Sequence, residues 1–176
     1  MRLGILLRRF FVPGFVVTVH AFLKYRCMVS HRAEVEITPQ LQIGRHSVIS
    51  SYTKIKARDG PLTIGRHVEV ATCCVITSHG AGTEIGDDCL IGPSVSIIGN
   101  NYRYDRLDVP IRLQEKFSTK GIRIGANVWI GAGCTILDGA HIGSGTIVAP
   151  NSVVAGPLPE NSIAQGSPAR VIFTRR

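Results

Sequence analysis

Two polar side chains that could take part in a group transfer occupy matching places in a repeated pattern. His79 lies three positions after Ile76, and Asn100 lies three positions after Ile97. If each isoleucine begins a six-residue repeat, His79 and Asn100 stack on neighbouring coils, about 4.8 Å apart. An imidazole can act as a general base near neutral pH, which makes His79 a candidate base. The alternative is a solvated histidine in the glycine-rich turn SHGAG, residues 78–82.

The repeat that would position these side chains has a period of six. Aliphatic residues begin successive hexads, at Ile43, Ile49, Ile55, Ile64, Val70, Ile76, Ile85, Ile91, Ile97, Ile124, Ile130, Ile136, Ile142, Val148 and Val154. A period of six fits neither an α-helix nor a flat strand and is typical of a parallel β-helix. Three hexads make one triangular coil, and stacked coils bury the aliphatic residues together.

One long interruption breaks the repeat. Ile97 and Ile124 are 27 positions apart, where 6 would continue the pattern. We therefore predict an excursion loop over residues 98–121. Long loops in compact folds are usually functional or disordered, and this one mixes aromatic and charged residues.

The net charge is concentrated at the N-terminus. Residues 1–32 contain six basic residues and no acidic residue, so the remainder carries only +2 of the net +8. Because the repeats are nearly neutral and contain no nucleic-acid-binding motif, we expect no nucleic-acid partner. The apolar run at residues 10–23 is too short to span a membrane. We expect it either to cover the open end of the β-helix or to lie at a membrane surface.

Cysteine placement indicates packing rather than cross-linking. Cys74, Cys89 and Cys134 are the fifth residues of their hexads, a position that Ser47 and Thr53 also occupy. Small size explains this choice, so we expect reduced thiols in a cytoplasmic protein. If the N-terminal segment binds lipid, the protein would lie at the inner face of the membrane.

Two short motifs carry a family resemblance. They are W-I-G at residues 129–131 and G-x-P-A-R at residues 166–170. With them, residues 124–172 resemble the hexapeptide-repeat acyltransferases, within the sugar O-acetyltransferase group of maltose, galactoside and surface-polysaccharide acetyltransferases. The resemblance extends over roughly residues 41–172. It implies a left-handed β-helix and a homotrimer with active sites between subunits.

We therefore predict an all-β protein, a left-handed parallel β-helix of hexapeptide repeats with a helical N-terminal arm and one long excursion loop. The arm would occupy residues 1–38, and the β-helix acyltransferase domain residues 39–172. Residues 173–176 would form a basic C-terminal end.

The resemblance also implies where the catalytic base should be. Members of the sugar group hold a histidine near the start of the excursion, in a stretch like N-H-x-[FY]-D, and here residues 101–105 read N-Y-R-Y-D. Tyr102 stands at the histidine position, and tyrosine is a poor base at neutral pH. His79, one coil away beside Asn100, is the candidate replacement. The residues expected to bind the acceptor are Arg103, Asp105 and Arg106.

Acetyl-CoA is the acyl donor that the resemblance implies. The residues expected to bind it are Trp129, Gly131, Ala132, Ala149, Pro150 and Arg170. Small residues let backbone amides approach the pantetheine chain, and arginine suits phosphate. The alternative explanation for the glycines is the corner geometry of the fold.

We predict no metal site. His46 and His67 are both fourth residues of their hexads, with Asp88 next in line, and a solvent-exposed column explains them. The γ-class carbonic anhydrases, which share this type of fold, bind zinc with an H-x-x-x-x-H pair, and the sequence contains none.

Together these observations predict a CoA-dependent acetyltransferase that moves an acetyl group from acetyl-CoA to a sugar hydroxyl in surface-polysaccharide biosynthesis. Two alternatives remain open. One is N-acetylation of an amino sugar or sugar nucleotide, where the amine needs less help from a base. The other is a non-catalytic trimeric scaffold that has lost its base.

Overall fold

The chain winds into a triangular β-helix whose three sides are parallel sheets. The computed structural model describes residues 14–99, 101–115 and 120–176. Within these residues the strands of successive coils pair in parallel, and a closing hairpin at the C-terminal end is antiparallel.

Each sheet collects one side of every coil. The first sheet contains β1 (Met28–Val29), β4 (Val48–Ile49), β7 (Glu69–Val70), β10 (Leu90–Ile91), β13 (Trp129–Ile130), β16 (Ile147–Val148), β19 (Ser162–Gly166) and β20 (Ala169–Thr174). The second contains β2 (Glu34–Val35), β5 (Lys54–Asp59), β8 (Val75–His79), β11 (Ser96–Ile98), β14 (Thr135–Leu137) and β17 (Val153–Val154). The third contains β3 (Leu41–Ile43), β6 (Leu62–Ile64), β9 (Thr83–Ile85), β12 (Ile122–Ile124), β15 (His141–Ile142) and β18 (Pro157–Leu158).

The residues that begin the hexads form the core, as the repeat predicts. In the second sheet Ile55, Ile76, Ile97 and Ile136 are register partners on successive coils, and all four are fully buried. Burying each such side chain contributes roughly 1.5–3 kcal/mol relative to leaving it exposed. Because each coil supplies only one such residue to a side, the coils must stack to exclude water from them.

The corners differ in a way that affects His79. The fourth residues of hexads on the first and third sheets adopt a left-handed conformation, with φ of 63° at Tyr52 after the first sheet and 54° at His67 after the third. His79 is also a fourth residue, but it ends strand β8, and the turn after it falls on Gly80 (φ 50°) and Gly82 (φ 98°). Glycine adopts positive φ at little steric cost. The sequence Gly-Ala-Gly thus makes the turn and leaves His79 on an extended strand.

The helix α1 (Gly14–Tyr25) covers the N-terminal end of the β-helix. Thr18 Oγ1 donates a hydrogen bond to the Val29 carbonyl at 2.8 Å, and Tyr25 Oη donates to the Leu41 carbonyl at 3.0 Å. Ala21 is buried between these contacts. The end-covering role expected for the apolar run therefore matches the contacts of this helix.

The first coil includes residues that the hexad count assigns to the arm. Val29 and Val35 are six positions apart and pair in register with Ile49 and Ile55. Strand pairing therefore begins at Met28, inside residues 1–38. The count misses this coil because Val35 and Ile43, where the counted hexads begin, are eight positions apart rather than a multiple of six.

The excursion leaves the β-helix between β11 and β12, where the break in the repeat predicts it. Its returning end is fixed by Asp138, whose carboxylate accepts hydrogen bonds from the amides of Lys120 at 3.0 Å and Gly121 at 2.8 Å. The loop is therefore anchored to the coil that follows it.

Candidate active site

His79 is carried on a rigid strand end beside a second polar residue. It is half-buried on the outer face of the second sheet, and its register partner on the preceding coil is Asp59, the last residue of β5. The Gly80 amide donates to the Asp59 carbonyl at 2.9 Å. A Cβ on Gly60 would come within 2.6 Å of the His79 carbonyl carbon, so the two coils touch here through their backbones.

Asp59 reaches this register through a β-bulge. Strands β5 and β8 pair regularly up to Lys56 opposite Thr77, and the register then shifts so that Asp59 faces His79. Without the shift, Arg58 would stand opposite the histidine. Bulges are common next to active sites, where they redirect a side chain. Hexad counting missed Asp59 for this reason.

The excursion begins directly above His79. The Gly99 amide donates to Thr77 Oγ1 at 3.2 Å, and Thr83 Oγ1 donates to the Thr77 carbonyl at 3.1 Å. A Cβ on Gly99 would lie 3.5 Å from the His79 amide nitrogen. The chain thus leaves the coil over the histidine. Asn100, which we predict to stack on His79, lies outside the described residues.

The acceptor-binding candidates of the excursion are held in ion pairs. Arg103 donates two hydrogen bonds to the Asp105 carboxylate, at 3.0 and 2.7 Å. Arg106 makes the same bidentate contact with Asp108, at 3.1 and 2.5 Å. The hydrogen bond from Arg103 lowers the pKa of Asp105, and that from Arg106 lowers the pKa of Asp108. An anionic group on an acceptor must therefore compete with these carboxylates for the arginines.

The excursion is braced by its own hydrogen bonds. The Gln114 side-chain amide donates to the carbonyls of Arg106 at 2.7 Å and Val109 at 2.8 Å. Tyr102 lies on the outgoing limb with 49% of its surface exposed. Several large apolar side chains of this loop are exposed to solvent, namely Leu107, Ile111 and Leu113. A group of such side chains on one loop is typical of a contact beyond its own chain.

Five of the six CoA candidates lie on adjacent coils. Trp129 stands on the outer face of β13, 51% exposed. Gly131 and Ala132 follow it at the corner between the first and second sheets. Ala149 and Pro150 occupy the same corner one coil further on, and we call these four residues the upper corner.

Coil packing alone explains the glycine at 131. A Cβ there would meet the Pro150 nitrogen at 2.6 Å, and the Gly131 amide donates to the Val148 carbonyl at 2.8 Å. Of the two explanations for this glycine, the corner geometry is therefore sufficient. Arg170, the sixth candidate, is exposed on β20 opposite Gln165.

His79 and the upper corner lie at different edges of the triangle. The upper corner joins the first and second sheets, whereas His79 ends a strand at the edge between the second and third. One side of the triangle separates them, roughly 20 Å for six residues at about 3.3 Å each. One chain therefore does not bring the candidate base and the CoA candidates to the same corner.

The predicted histidine column is present and lies in solvent. The His46 and His67 rings stack with their centroids 5.4 Å apart, and His67 Nδ1 lies 3.2 Å from Asp88 Oδ1. Among the described residues, no group of three or more His, Cys, Asp or Glu side chains could hold a metal ion.

The predicted packing role of three cysteines is confirmed. Cys74, Cys89 and Cys134 are fully buried. Burial raises the pKa of each thiol, as expected when the thiolate would lose its hydration.

Comparison with known proteins agrees with this geometry. The family described as "Bacterial transferase hexapeptide (six repeats)" matches residues 121–156, which contain β12 to β17 and the upper corner. This part of the chain is similar to the hexapeptide-repeat transferases.

Two relatives illustrate the hexapeptide-repeat transferase match. A "probable acetyltransferase" of Mycobacterium tuberculosis is 31% identical over 186 residues, which covers 98% of this chain and 61% of the relative. Galactoside O-acetyltransferase of Escherichia coli is 36% identical over 90 residues, covering 50% of this chain and 41% of the enzyme. The chain therefore spans less than two thirds of the length of either relative.

A solved structure shares the fold. An N-acyltransferase from Bacillus cereus, crystallised with dTDP and coenzyme A, superposes with a TM-score of 0.74 at 20% identity, covering 85% of this chain and 82% of the enzyme. The left-handed parallel β-helix expected for a hexapeptide-repeat transferase is thereby confirmed.

Proposed function

We propose that this protein is an acetyl-CoA-dependent acetyltransferase that acts on a sugar hydroxyl, in the biosynthesis of a surface polysaccharide. Its family and the O-acetyltransferase name of the Escherichia coli relative support the reaction class. The observation that carries the proposal is the placement of His79, on a rigid strand end, in register with Asp59 and under the start of the excursion.

The chemistry assigns a role to each part. His79 accepts the hydroxyl proton while the acceptor oxygen attacks the thioester carbonyl carbon, and the carbon–sulfur bond breaks as CoA leaves. The imidazolium then returns the proton to the thiolate, so the base is regenerated. A coenzyme A structure in a protein of the same fold supports CoA as the donor.

We propose that the protein works as a homotrimer. Trp129 and the upper corner lie about one triangle side from His79 within a chain, whereas packing two solenoids side by side can bring these corners together. The group of exposed apolar side chains on the excursion, Leu107, Ile111 and Leu113, supports a neighbouring subunit on this side. Each active site would then combine the donor corner of one copy with His79 of another.

N-acetylation of an amino sugar or sugar nucleotide is the second candidate. Two observations favour it, the tyrosine at position 102 and the fold shared with an N-acyltransferase crystallised with dTDP. An unprotonated amine attacks a thioester without a strong base, so this reaction depends less on His79. A trimeric scaffold without activity is the third possibility.

Transfer of radiolabel from acetyl-CoA tests the three candidates. Wild-type protein and His79→Ala are incubated with a pool of glycans, amino sugars and sugar nucleotides, and CoA binding is measured alongside. Loss of hydroxyl acetylation by roughly 10²–10⁴-fold in His79→Ala, with CoA binding retained, supports the proposal. Equal activity of both proteins on amines supports N-acetylation. No transfer by either protein, with CoA still bound, supports the scaffold.

A further inference from the structure

The helix α1 has two apolar faces, and only one of them packs on the described part of the protein. Val17, Ala21 and Tyr25 face the β-helix, where Ala21 is buried and the other two pack against the core. The opposite face carries large apolar side chains that are between 42% and 74% exposed, namely Phe15, Val16, Val19, Phe22 and Leu23. At about 100° per residue, these five fall on one continuous side of the helix.

Covering the end of the β-helix does not require this exposed apolar face. A helix that only covers the end of a solenoid needs one apolar face toward the core and a polar face toward water. Single exposed apolar residues are common on protein surfaces, but a contiguous stripe marks a site of contact. The stripe is therefore a candidate contact surface.

The charge around the stripe indicates the chemistry of that partner. The first acidic residue of the sequence is Glu34, and six basic residues precede it. Among the described ones, Lys24, Arg26 and Arg32 are all exposed. Apolar side chains beside a cluster of basic residues suit an anionic lipid surface, where each basic residue contributes about 1 kcal/mol.

The size of the helix determines how it can meet a bilayer. A helix of 12 residues is about 18 Å long, less than the hydrocarbon thickness of roughly 30 Å. None of the helices in the described part of the chain is long and apolar enough to cross a membrane. A helix of this length can lie in the plane of the interface, with the stripe among the headgroups.

We propose that the outer face of α1 binds the surface of an anionic lipid bilayer, so that the β-helix stands on the membrane by its N-terminal end. His79 lies in the third coil from this end. It would be held roughly 20 Å above the lipid, the sum of one helix diameter and two coil spacings. This proposal is independent of the transferase activity and can be tested without an acceptor.

Vesicle co-sedimentation of the full chain tests the proposal. Vesicles of phosphatidylcholine alone are compared with vesicles that also contain phosphatidylglycerol. The variant is Phe22→Ser, and the matched control is Phe173→Ser at the opposite end of the solenoid, since the two phenylalanines are 62% and 65% exposed. A second variant, Lys24→Gln, is compared with Arg176→Gln at the C-terminus.

We expect the wild type to bind phosphatidylglycerol vesicles and to be released by high salt, which screens charges beyond about 3 Å at 1 M. Phe22→Ser should lower the partition coefficient about tenfold, Lys24→Gln several-fold, and neither control should change it. Equal sedimentation of Phe22→Ser and wild type, or no preference for anionic vesicles, would overturn the proposal. So would a change in assembly mass on Phe22→Ser without a change in vesicle binding, because the stripe would then contact another copy of the chain.

Discussion

Asp59 and His79 face each other across neighbouring strands, and a bulge in β5 puts them there. Adjacent strands are about 4.8 Å apart, so the carboxylate can reach the imidazole. A carboxylate that accepts a hydrogen bond from one ring nitrogen fixes the tautomer and orientation of the ring and stabilises its protonated form. We infer that Asp59 is a positioning residue for His79.

Asp59→Asn should lower the turnover number by roughly tenfold or more while CoA affinity is unchanged. Asp59→Glu should restore part of the turnover number. Arg58→Gln is the matched control, because Arg58 is the neighbour in sequence that the bulge moves out of register. A turnover number in Asp59→Asn equal to that of the wild type would show that the carboxylate does not act on the base.

The β-helix could be predicted from the sequence because its buried residues recur at a fixed spacing. Each hexad begins with a buried aliphatic residue that contributes to stability wherever it occurs, so Ile55, Ile76 and Ile97 mark a regular spacing in the sequence. The excursion could be predicted for the same reason, since it interrupts the regular spacing of the aliphatic residues.

The site was harder to predict because it depends on departures from the period. The bulge that brings Asp59 opposite His79 adds one residue to the strand, and a hexad count cannot detect it. The first coil was missed at Val29 and Val35 because the spacing to Ile43 is irregular. The ion pair of Arg103 with Asp105 depends on the conformation of the loop, which the repeat in the sequence cannot predict.

Tyr102→Phe should reduce activity much less than His79→Ala, because a tyrosine phenol is in general a poor base at neutral pH, whereas an imidazole is a good one. Tyr102→His, which restores the residue implied by the family resemblance, should preserve or raise the turnover number. Steady-state kinetics of the three variants with one acceptor would compare them. A loss in Tyr102→Phe as large as that in His79→Ala would assign the essential group to the excursion instead.

Leu107→Ser should weaken the assembly while leaving the β-helix folded. The side chain is 99% exposed in the single chain, so its removal cannot destabilise the monomer through lost burial. If it packs on a neighbouring subunit, the replacement should lower the trimer fraction at micromolar concentration in multi-angle light scattering. Ile172→Ser is the control, since this exposed apolar residue lies on the closing hairpin. A wild-type protein that is monomeric in this measurement would contradict the trimer itself.

Stability should fall as the pH rises from about 9 to 11. Burial raises the pKa of the Cys27 thiol to about 11 from a value of 9.0, and a raised pKa means that the folded state holds its proton where the unfolded state has lost it. The stabilisation is complete below pH 9 and disappears as the pH passes through the folded value. Urea unfolding of wild type and Cys27→Ala across this range should show a smaller decline in the variant. Parallel declines would mean that Cys27 is not the titrating group.

Gly131→Ala should destabilise the β-helix by about 1–3 kcal/mol, the usual cost of overpacking a well-packed site. The added methyl group would stand 2.6 Å from the Pro150 nitrogen, so two coils would have to separate at the upper corner. Gly156→Ala is the matched control, because a Cβ at that position meets nothing within 4 Å. Thermal unfolding of both variants, together with CoA affinity, distinguishes the two explanations for this glycine. A stable Gly131→Ala protein that binds CoA weakly would assign the glycine to the cofactor rather than to coil packing.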